Sequence, residues 1–196
     1  STEHLCLECR ACEQICSKDA ISMQENAEGF SYPKIDMDIC VDCGLCVKVC
    51  PAIHADDIKN KSCDVYAAQL KDKTILKKSS SGGVFSLIAE HVIGSGGIVF
   101  GAAWDEHLQL RHIGVDTIGD LQKLRGSKYV HSDIGNTFIQ ARDNLKSGRL
   151  VYFTGTPCQI AGLKLFLRKD YTNLITSDLV CHGTPSQKLF NLFVKG

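Results

Sequence analysis

The 196-residue sequence predicts an α+β protein in two parts, a small cysteine-stapled module over residues 1–62 and an α/β domain over residues 63–196. Three observations predict it. Eight of the eleven cysteines fall into two runs of one spacing, Cys6, Cys9, Cys12, Cys16 and Cys40, Cys43, Cys46, Cys50, offset by 34 residues. From about residue 63 the chain alternates apolar strand-like runs, Gly-rich loops and helical patterns, as α/β domains do. The charge divides near the same place. Residues 1–60 hold 11 acidic and 5 basic residues, net −6, and the remainder holds 11 and 17, net +6.

Both cysteine runs read C-x2-C-x2-C-x3-C, and Pro51 follows the second. This spacing wraps a cubane [4Fe–4S] cluster: one tight loop supplies three thiolates, and the fourth cysteine of the run reaches the other cluster. Cluster I is therefore predicted on Cys6, Cys9, Cys12 and Cys50, and cluster II on Cys40, Cys43, Cys46 and Cys16. The exchange staples together a ferredoxin-like module too small for a large apolar core. Zinc sites use other spacings. Disulfides need an oxidising compartment, and no secretory signal stands at Ser1. Ser17 occupies the place where the first run would have a proline; that residue shapes a turn and ligates nothing. The repeat also predicts short strands opening at Ala20-Ile21-Ser22 and at Ala52-Ile53-His54, with the polar Asp56 to Lys61 as the exit from the module.

In the second part, Ser79-Ser80-Ser81-Gly82-Gly83 is a loop opening a helix from Val84 to Ile93, which Gly94-Ser95-Gly96-Gly97 ends. Strands are predicted over Ile98 to Ala103 and Leu108 to Val115. A helix over Asp133 to Lys146 places Ile134, Phe138, Ala141 and Leu145 on one face, and Gly148 stops it. Leu150 to Phe153 reads as a buried strand, Thr154-Gly155-Thr156-Pro157 as a loop, and Cys158 to Leu167 as a helix. Leu174 to Val180 is the last strand, followed by a Cys181-His182-Gly183 turn and a helix from Ser186. No stop signal precedes Gly196, so the α/β domain is expected to be incomplete at its C-terminal end.

The composition excludes several classes. An apolar fraction of 44% and a charged fraction of 22% fit a soluble globular protein. The longest apolar stretches, such as Gly97 to Trp104, are far too short to span a bilayer. Cysteine-rich composition without a secretory signal predicts a reducing cytoplasm. Basic residues are scattered and aromatics few, so no nucleic-acid module is predicted.

Several residues invite a chemical reading. The Ser79–Gly83 loop offers free backbone N–H groups and the positive end of a helix, which suit a phosphate; an ordinary cap or turn would have the same sequence. Arg125-Gly126-Ser127-Lys128-Tyr129 brings cations to a loop, either toward a ligand or into solvent. Cys158 follows Thr156-Pro157 where a helix begins, a position that favours thiolate. A further cluster ligand, a redox-active thiol and a buried packing cysteine are all open for it. Cys181 and Cys158 both follow the carboxyl ends of predicted neighbouring strands, the edge where open α/β sheets place their sites. His182 is either a proton donor to a substrate or a turn residue. Cys63 is isolated and has no assigned role.

The dicluster run, followed by SSSGGVFSLIAEHVIGSGGIVFGAAW, LRGSKYVHSDIG, VYFTGTPCQIAGLKLFLRKDY and DLVCHGTPS, resembles the coenzyme F420 hydrogenase/dehydrogenase beta-subunit family over nearly the whole chain. The resemblance implies two [4Fe–4S] clusters together with a flavin, usually FAD, and a flavin-binding-type α/β domain. It implies flavin contact at Ser80, Ser81, Gly82 and Gly83, with Ser127 and Lys128 beside it, and a site role for Cys158, Cys181 and His182. Family members carry cluster ligands at the positions of Cys158 and Cys181, with partner cysteines further along the chain that this sequence lacks. The expected function is oxidoreduction: electrons pass between the clusters and a flavin, coupled to hydride transfer with coenzyme F420 or another small molecule, and on to a ferredoxin or partner redox subunit. The alternative is a non-catalytic electron-transfer subunit of a larger redox complex.

Overall fold

The computed structural model describes residues 5–54 and 63–195. The predicted exit segment, Asp56 to Lys61, lies outside these residues.

In the N-terminal module, α1 (Ala11–Ile15) and α2 (Leu45–Lys48) begin two residues after Cys9 and Cys43, so the cysteine repeat is also a backbone repeat. Glu8 (φ 52°) and Arg10 (φ 55°) are left-handed in the first loop, and Asp42 (φ 50°) and Gly44 (φ 67°) hold the same places in the second. The hydrogen bonds repeat too. Gln14 N–H donates to Arg10 C=O and Cys16 N–H to Glu13 C=O; Lys48 to Gly44 and Cys50 to Val47 are the same bonds 34 residues later. Left-handed residues turn successive N–H groups inward, the concave arrangement that receives anions and Fe–S clusters. A hairpin of β1 (Ile21–Glu25) and β2 (Ser31–Ile35), antiparallel with Met23 opposite Pro33, joins the loops.

The strand predicted at Ala20-Ile21-Ser22 is β1. The one predicted at Ala52-Ile53-His54 is a turn instead, because Ile53 and His54 both donate to the Cys50 carbonyl and curl the chain back. The partner strand β2 was not anticipated; Pro33 demotes that run in a sequence reading.

After the short α3 (Lys73–Lys77) comes α4 (Val84–Gly94), then β3 (Ile98–Trp104), β4 (Leu110–Val115) and α5 (Ile118–Leu121), which continues into a 3₁₀ turn over Gln122–Leu124. Then follow α6 (Thr137–Lys146), β5 (Val151–Gly155), α7 (Pro157–Leu167), β6 (Leu174–Asp178) and α8 (Gln187–Lys195). The sheet order is β4-β3-β5-β6, with β4 antiparallel to β3 and the rest parallel. The predicted Leu108–Val115 strand starts two residues later, since Leu108 (φ 56°) closes a turn by donating to Asp105 C=O. The predicted helix from Asp133 starts at Thr137. Asp133 is drawn alongside β4, where it donates to Leu110 C=O and accepts from His112 N–H.

Alternation along the strands separates two cores. Val99, Ala103 and Tyr152 face α4 through Ala89 and Val92. Phe100 and Phe153 face α6 and α7 through Ile134, Phe138, Ile160, Leu163 and Phe166. The predicted α6 face, Ile134, Phe138, Ala141 and Leu145, is buried in this second core. Cys9, Ala11 and Val49 of the cysteine module complete the same cluster. Gly162 on α7 permits this, because a Cβ there would lie 2.9 Å from Cys9 Cβ and Sγ. Polar bonds seal the junction: Arg10 pairs with Asp133 at 2.7 Å, and Gln14 accepts from the N–H groups of Phe138 and Ile139.

Candidate functional site

In the first loop, Cys6, Cys9, Cys12 and the distant Cys50 gather within electrostatic reach. Burial pushes Cys9 and Cys12 up to about 12 and raises Cys6, and the neighbouring Cys50 adds to each shift. The N–H groups of Glu8, Ala11 and Glu13 donate to Cys6, Cys9 and Cys12 Sγ, respectively. Thiols this reluctant to ionise become thiolates when a metal supplies the positive charge. Among the described residues, no three His, Cys, Asp or Glu side chains close on a point suited to a single metal ion. The link to a [4Fe–4S] cluster rests on the cysteine spacing, whose loop offers one thiolate to each of three iron corners. The second run repeats the backbone of the first. Cys43 is exposed there, Cys40 and Cys46 are partly exposed, and Cys16 Sγ accepts from Ala20 N–H at 3.3 Å.

Beside the module, a cleft of about 580 Å³ opens at the carboxyl edge of the sheet, within the range for ligand sites. Ser80, Ser81 and Gly83 before α4 line it, as do Ser127, Lys128, Cys181 and His182. Gly82 does not line it. Its missing Cβ makes room for the Ala68 carbonyl, and its own carbonyl accepts from Leu70 N–H. Gly83 is left-handed (φ 78°) and closes against Leu70. The two loops are tied: Ser127 N–H donates to Ser80 Oγ, and Arg125 reaches Ser86 Oγ and the Glu90 carboxylate at 2.7 Å. Lys128 Nζ donates to the carbonyls of Leu124, Arg125 and Gly126, so the ammonium staples its own loop. Burial lowers that ammonium to about 8.

Cys158 lines a second cavity, of about 320 Å³, together with Cys181 and with Cys6 and Glu8 of the first loop. The two cavities share Thr156, Cys181, Gly183 and Thr184. Cys158 Sγ stands 3.0 Å from Thr156 Oγ1, and Cys9 lies within its electrostatic reach. His131 faces Glu8 across this cavity at 3.4 Å, an ion-pair distance without hydrogen-bond alignment.

A buried network under the cleft escaped the sequence reading. His112 is buried on β4 with its ring stacked on Phe153. Thr154 C=O can only accept, so His112 Nε2–H donates to it at 2.9 Å and Nδ1 accepts from the Ser132 hydroxyl. Gln159 Nε2 donates to Ser132, and its Oε1 accepts from Thr156 N–H, closing the box that caps α7. The Thr156-Pro157-Cys158-Gln159 run carries that capping pattern in the sequence; nothing in the sequence marks His112.

Burial depresses His112 to about 4, so it folds neutral. The unfolded chain, with an ordinary imidazole near 6.5, takes up the proton first. The contribution of His112 is therefore full above that value and is lost as pH falls toward 4. Stability should drop by about 2 kcal/mol between pH 7 and pH 5 from this residue. Denaturant titrations at both pH values check this, with His112→Asn expected to flatten the difference.

Comparison with known proteins matches residues 5–53 to the 4Fe-4S dicluster domain, and residues 65–137 to the coenzyme F420 hydrogenase/dehydrogenase, beta subunit N-term family. An F(420)H(2) dehydrogenase subunit of Methanosarcina mazei is 24% identical over 173 residues, 82% of this chain and 48% of that one. A 7Fe ferredoxin of Hydrogenibacillus schlegelii is 34% identical over 64 residues, 32% of this chain and 76% of the ferredoxin. A chain from the F420-reducing [NiFe] hydrogenase complex of Methanosarcina barkeri shares the fold with a TM-score of 0.53 at 23% identity, covering 70% of this chain and 52% of its own. The chain thus spans about half the length of the dehydrogenase protein and of that hydrogenase chain. No helix among the described residues is long and apolar enough to cross a membrane.

Proposed function

The chain belongs to the coenzyme F420 hydrogenase/dehydrogenase beta-subunit family and carries a 4Fe-4S dicluster module; from that premise we propose an iron–sulfur flavoprotein that passes electrons between two cubanes and a flavin, FAD, in the 580 Å³ cleft. One observation supports this reading: the cleft and the cavity beside Cys6 share a wall, so a cofactor held in the cleft would lie next to the first cysteine loop. When bound, a flavin supplies hydride chemistry and exchanges the electron pair one at a time with the clusters.

The residues have separate tasks in this reading. Cys6, Cys9, Cys12 and Cys50 hold cluster I, and Cys16, Cys40, Cys43 and Cys46 hold cluster II. Ser80, Ser81 and the first turn of α4 offer hydroxyls and N–H groups to a diphosphate. Gly82 and Gly83 let that turn sit against the Ala68–Leu70 segment, and Ser127 fixes the facing loop. Cys158 and Cys181 stand between cluster I and the cleft, as ligands of a further cluster or as redox thiols. His182, exposed at the cleft, gives a proton to a substrate in this reading. The substrate is coenzyme F420 or another small oxidant or reductant, with a ferredoxin or partner redox subunit at the far end. Residues 1–62 and 63–196 are proposed as the two domains, in a cytoplasmic protein.

A second reading, an electron-transfer subunit without its own flavin, draws on Lys128. Its three ammonium N–H groups are taken by carbonyls of its own loop, so Lys128 has no donor left for a ligand in the cleft. Anaerobic reconstitution with iron, sulfide and FAD separates the two. The flavoprotein reading expects about eight irons per chain and one flavin released on denaturation. Eight irons with no retained flavin would leave the second reading standing.

A further inference from the structure

The two cysteine loops meet very different surroundings. Cys9 lies buried beneath α7, whereas Cys43 is open to solvent. Around the second loop the chain leaves large apolar side chains outside: Met37 is 74% exposed and Val41 59%, with Ile39, Val47 and Ile53 also exposed. The same module buries Ala20, Ile21 and Val49, so it has an interior that these five do not enter. Large apolar side chains left outside around one cysteine loop mark an interaction surface. Asp36, Asp38 and Asp42 are interleaved with the apolar residues; all three are exposed, and none joins an ion pair among the described residues. The module's acidity near the junction is treated differently, with Glu8 facing His131 and Glu13 pairing with Arg10.

An apolar centre with a charged rim is the anatomy of a transient protein interface, and the sign of the rim selects the partner. We propose that this face docks an electron-transfer protein whose own redox centre lies under an apolar patch rimmed by Lys and Arg, with electrons crossing at Cys43. The inference rests on the two-cluster reading and narrows its partner: a strongly acidic ferredoxin is repelled here. One electron crosses per encounter. The partner's centre is oxidised by one and cluster II reduced by one, or the reverse, and no bond is made or broken.

Mitochondrial cytochrome c, with a lysine rim around an exposed haem edge, serves as the basic probe, and an acidic two-cluster ferredoxin as its opposite. Binding of each oxidised probe to the anaerobically reconstituted full chain is titrated at low and high salt. Iron content and EPR spectra establish that every variant keeps its clusters. Cytochrome c binding should weaken at least about tenfold in the Asp36→Lys/Asp38→Lys/Asp42→Lys variant and fall with salt. Val41→Asp should weaken it with no loss of acidic charge. Glu106→Lys, an exposed change at the β3–β4 turn, should leave it as it was. Native binding by the triple variant, equal weakening by Glu106→Lys, or tighter binding of the ferredoxin than of cytochrome c would each overturn the proposal. So would a dimer in the sedimentation profile that the triple variant dissolves. A native preparation lacking the second cluster's irons defeats the two-cluster reading instead, and the titration still reports on the surface.

Discussion

Replacing Cys50 by alanine is expected to remove cluster I, although Cys50 belongs to the second cysteine run. Its thiol sits with Cys6, Cys9 and Cys12, and raises the pKa of each. The physical cause is the tight turn after α2, where Cys50 N–H bonds Val47 C=O and the chain folds back toward the first loop. Iron content should fall from about eight to about four per chain, and the low-temperature EPR spectrum of the reduced protein should lose its coupled two-cluster features. The buried Cys9 and Cys12 are then left without the metal that makes thiolates tolerable there, and the module loses its staple. Full retention of cluster I with loss of cluster II would mean that each run serves its own cluster.

The second large effect is expected at Phe153. This side chain is fully buried on β5, and three rings lean on it: Phe100 at 5.4 Å, His112 at 5.5 Å and Phe138 at 5.6 Å between centroids. Phe153→Ala should cost about 3–5 kcal/mol. Because Cys9, Ala11 and Val49 belong to the same core, the loss should not stay in the sheet. In an anaerobic denaturant titration, the iron–sulfur absorbance and the helical circular dichroism should collapse together, at one lowered midpoint. Two separate transitions, with the chromophore surviving the sheet, would show that the module folds alone.

Much of this was legible from the residues because the constraints were local. Cysteine spacing fixes which loop can wrap a cluster. Gly94-Ser95-Gly96-Gly97 ends α4 through backbone freedom that only the local chain decides, and Ile134, Phe138, Ala141 and Leu145 fall on one helical face by period alone. The misses are places where a distant partner took over. Asp133 leaves its predicted helix because β4 claims its N–H and C=O. Ile53 and His54 leave their predicted strand because the Cys50 carbonyl collects both N–H groups. Lys128 reads as a cation for a ligand, yet three carbonyls of its own loop consume it. His112 has no signature at all, since its neutrality comes from burial under a tertiary network of residues 20 to 47 positions away, Ser132, Phe153, Thr154 and Gln159, and burial outweighs the Thr154 carbonyl, which favours the charged ring.

The bare Cα of Gly162 against Cys9 has a consequence for speed. Electrons tunnel through protein at rates that fall exponentially with separation, so the closeness of a packing contact bears on a rate as well as on stability. A side chain as small as a methyl group at 162 would meet Cys9 Sγ at 2.9 Å and push the first loop off the helix that carries Cys158. In the electron-passing reading proposed above, the hydrogen atom on that glycine would act as a spacer that sets the gap between the first cysteine loop and α7 when the chain folds.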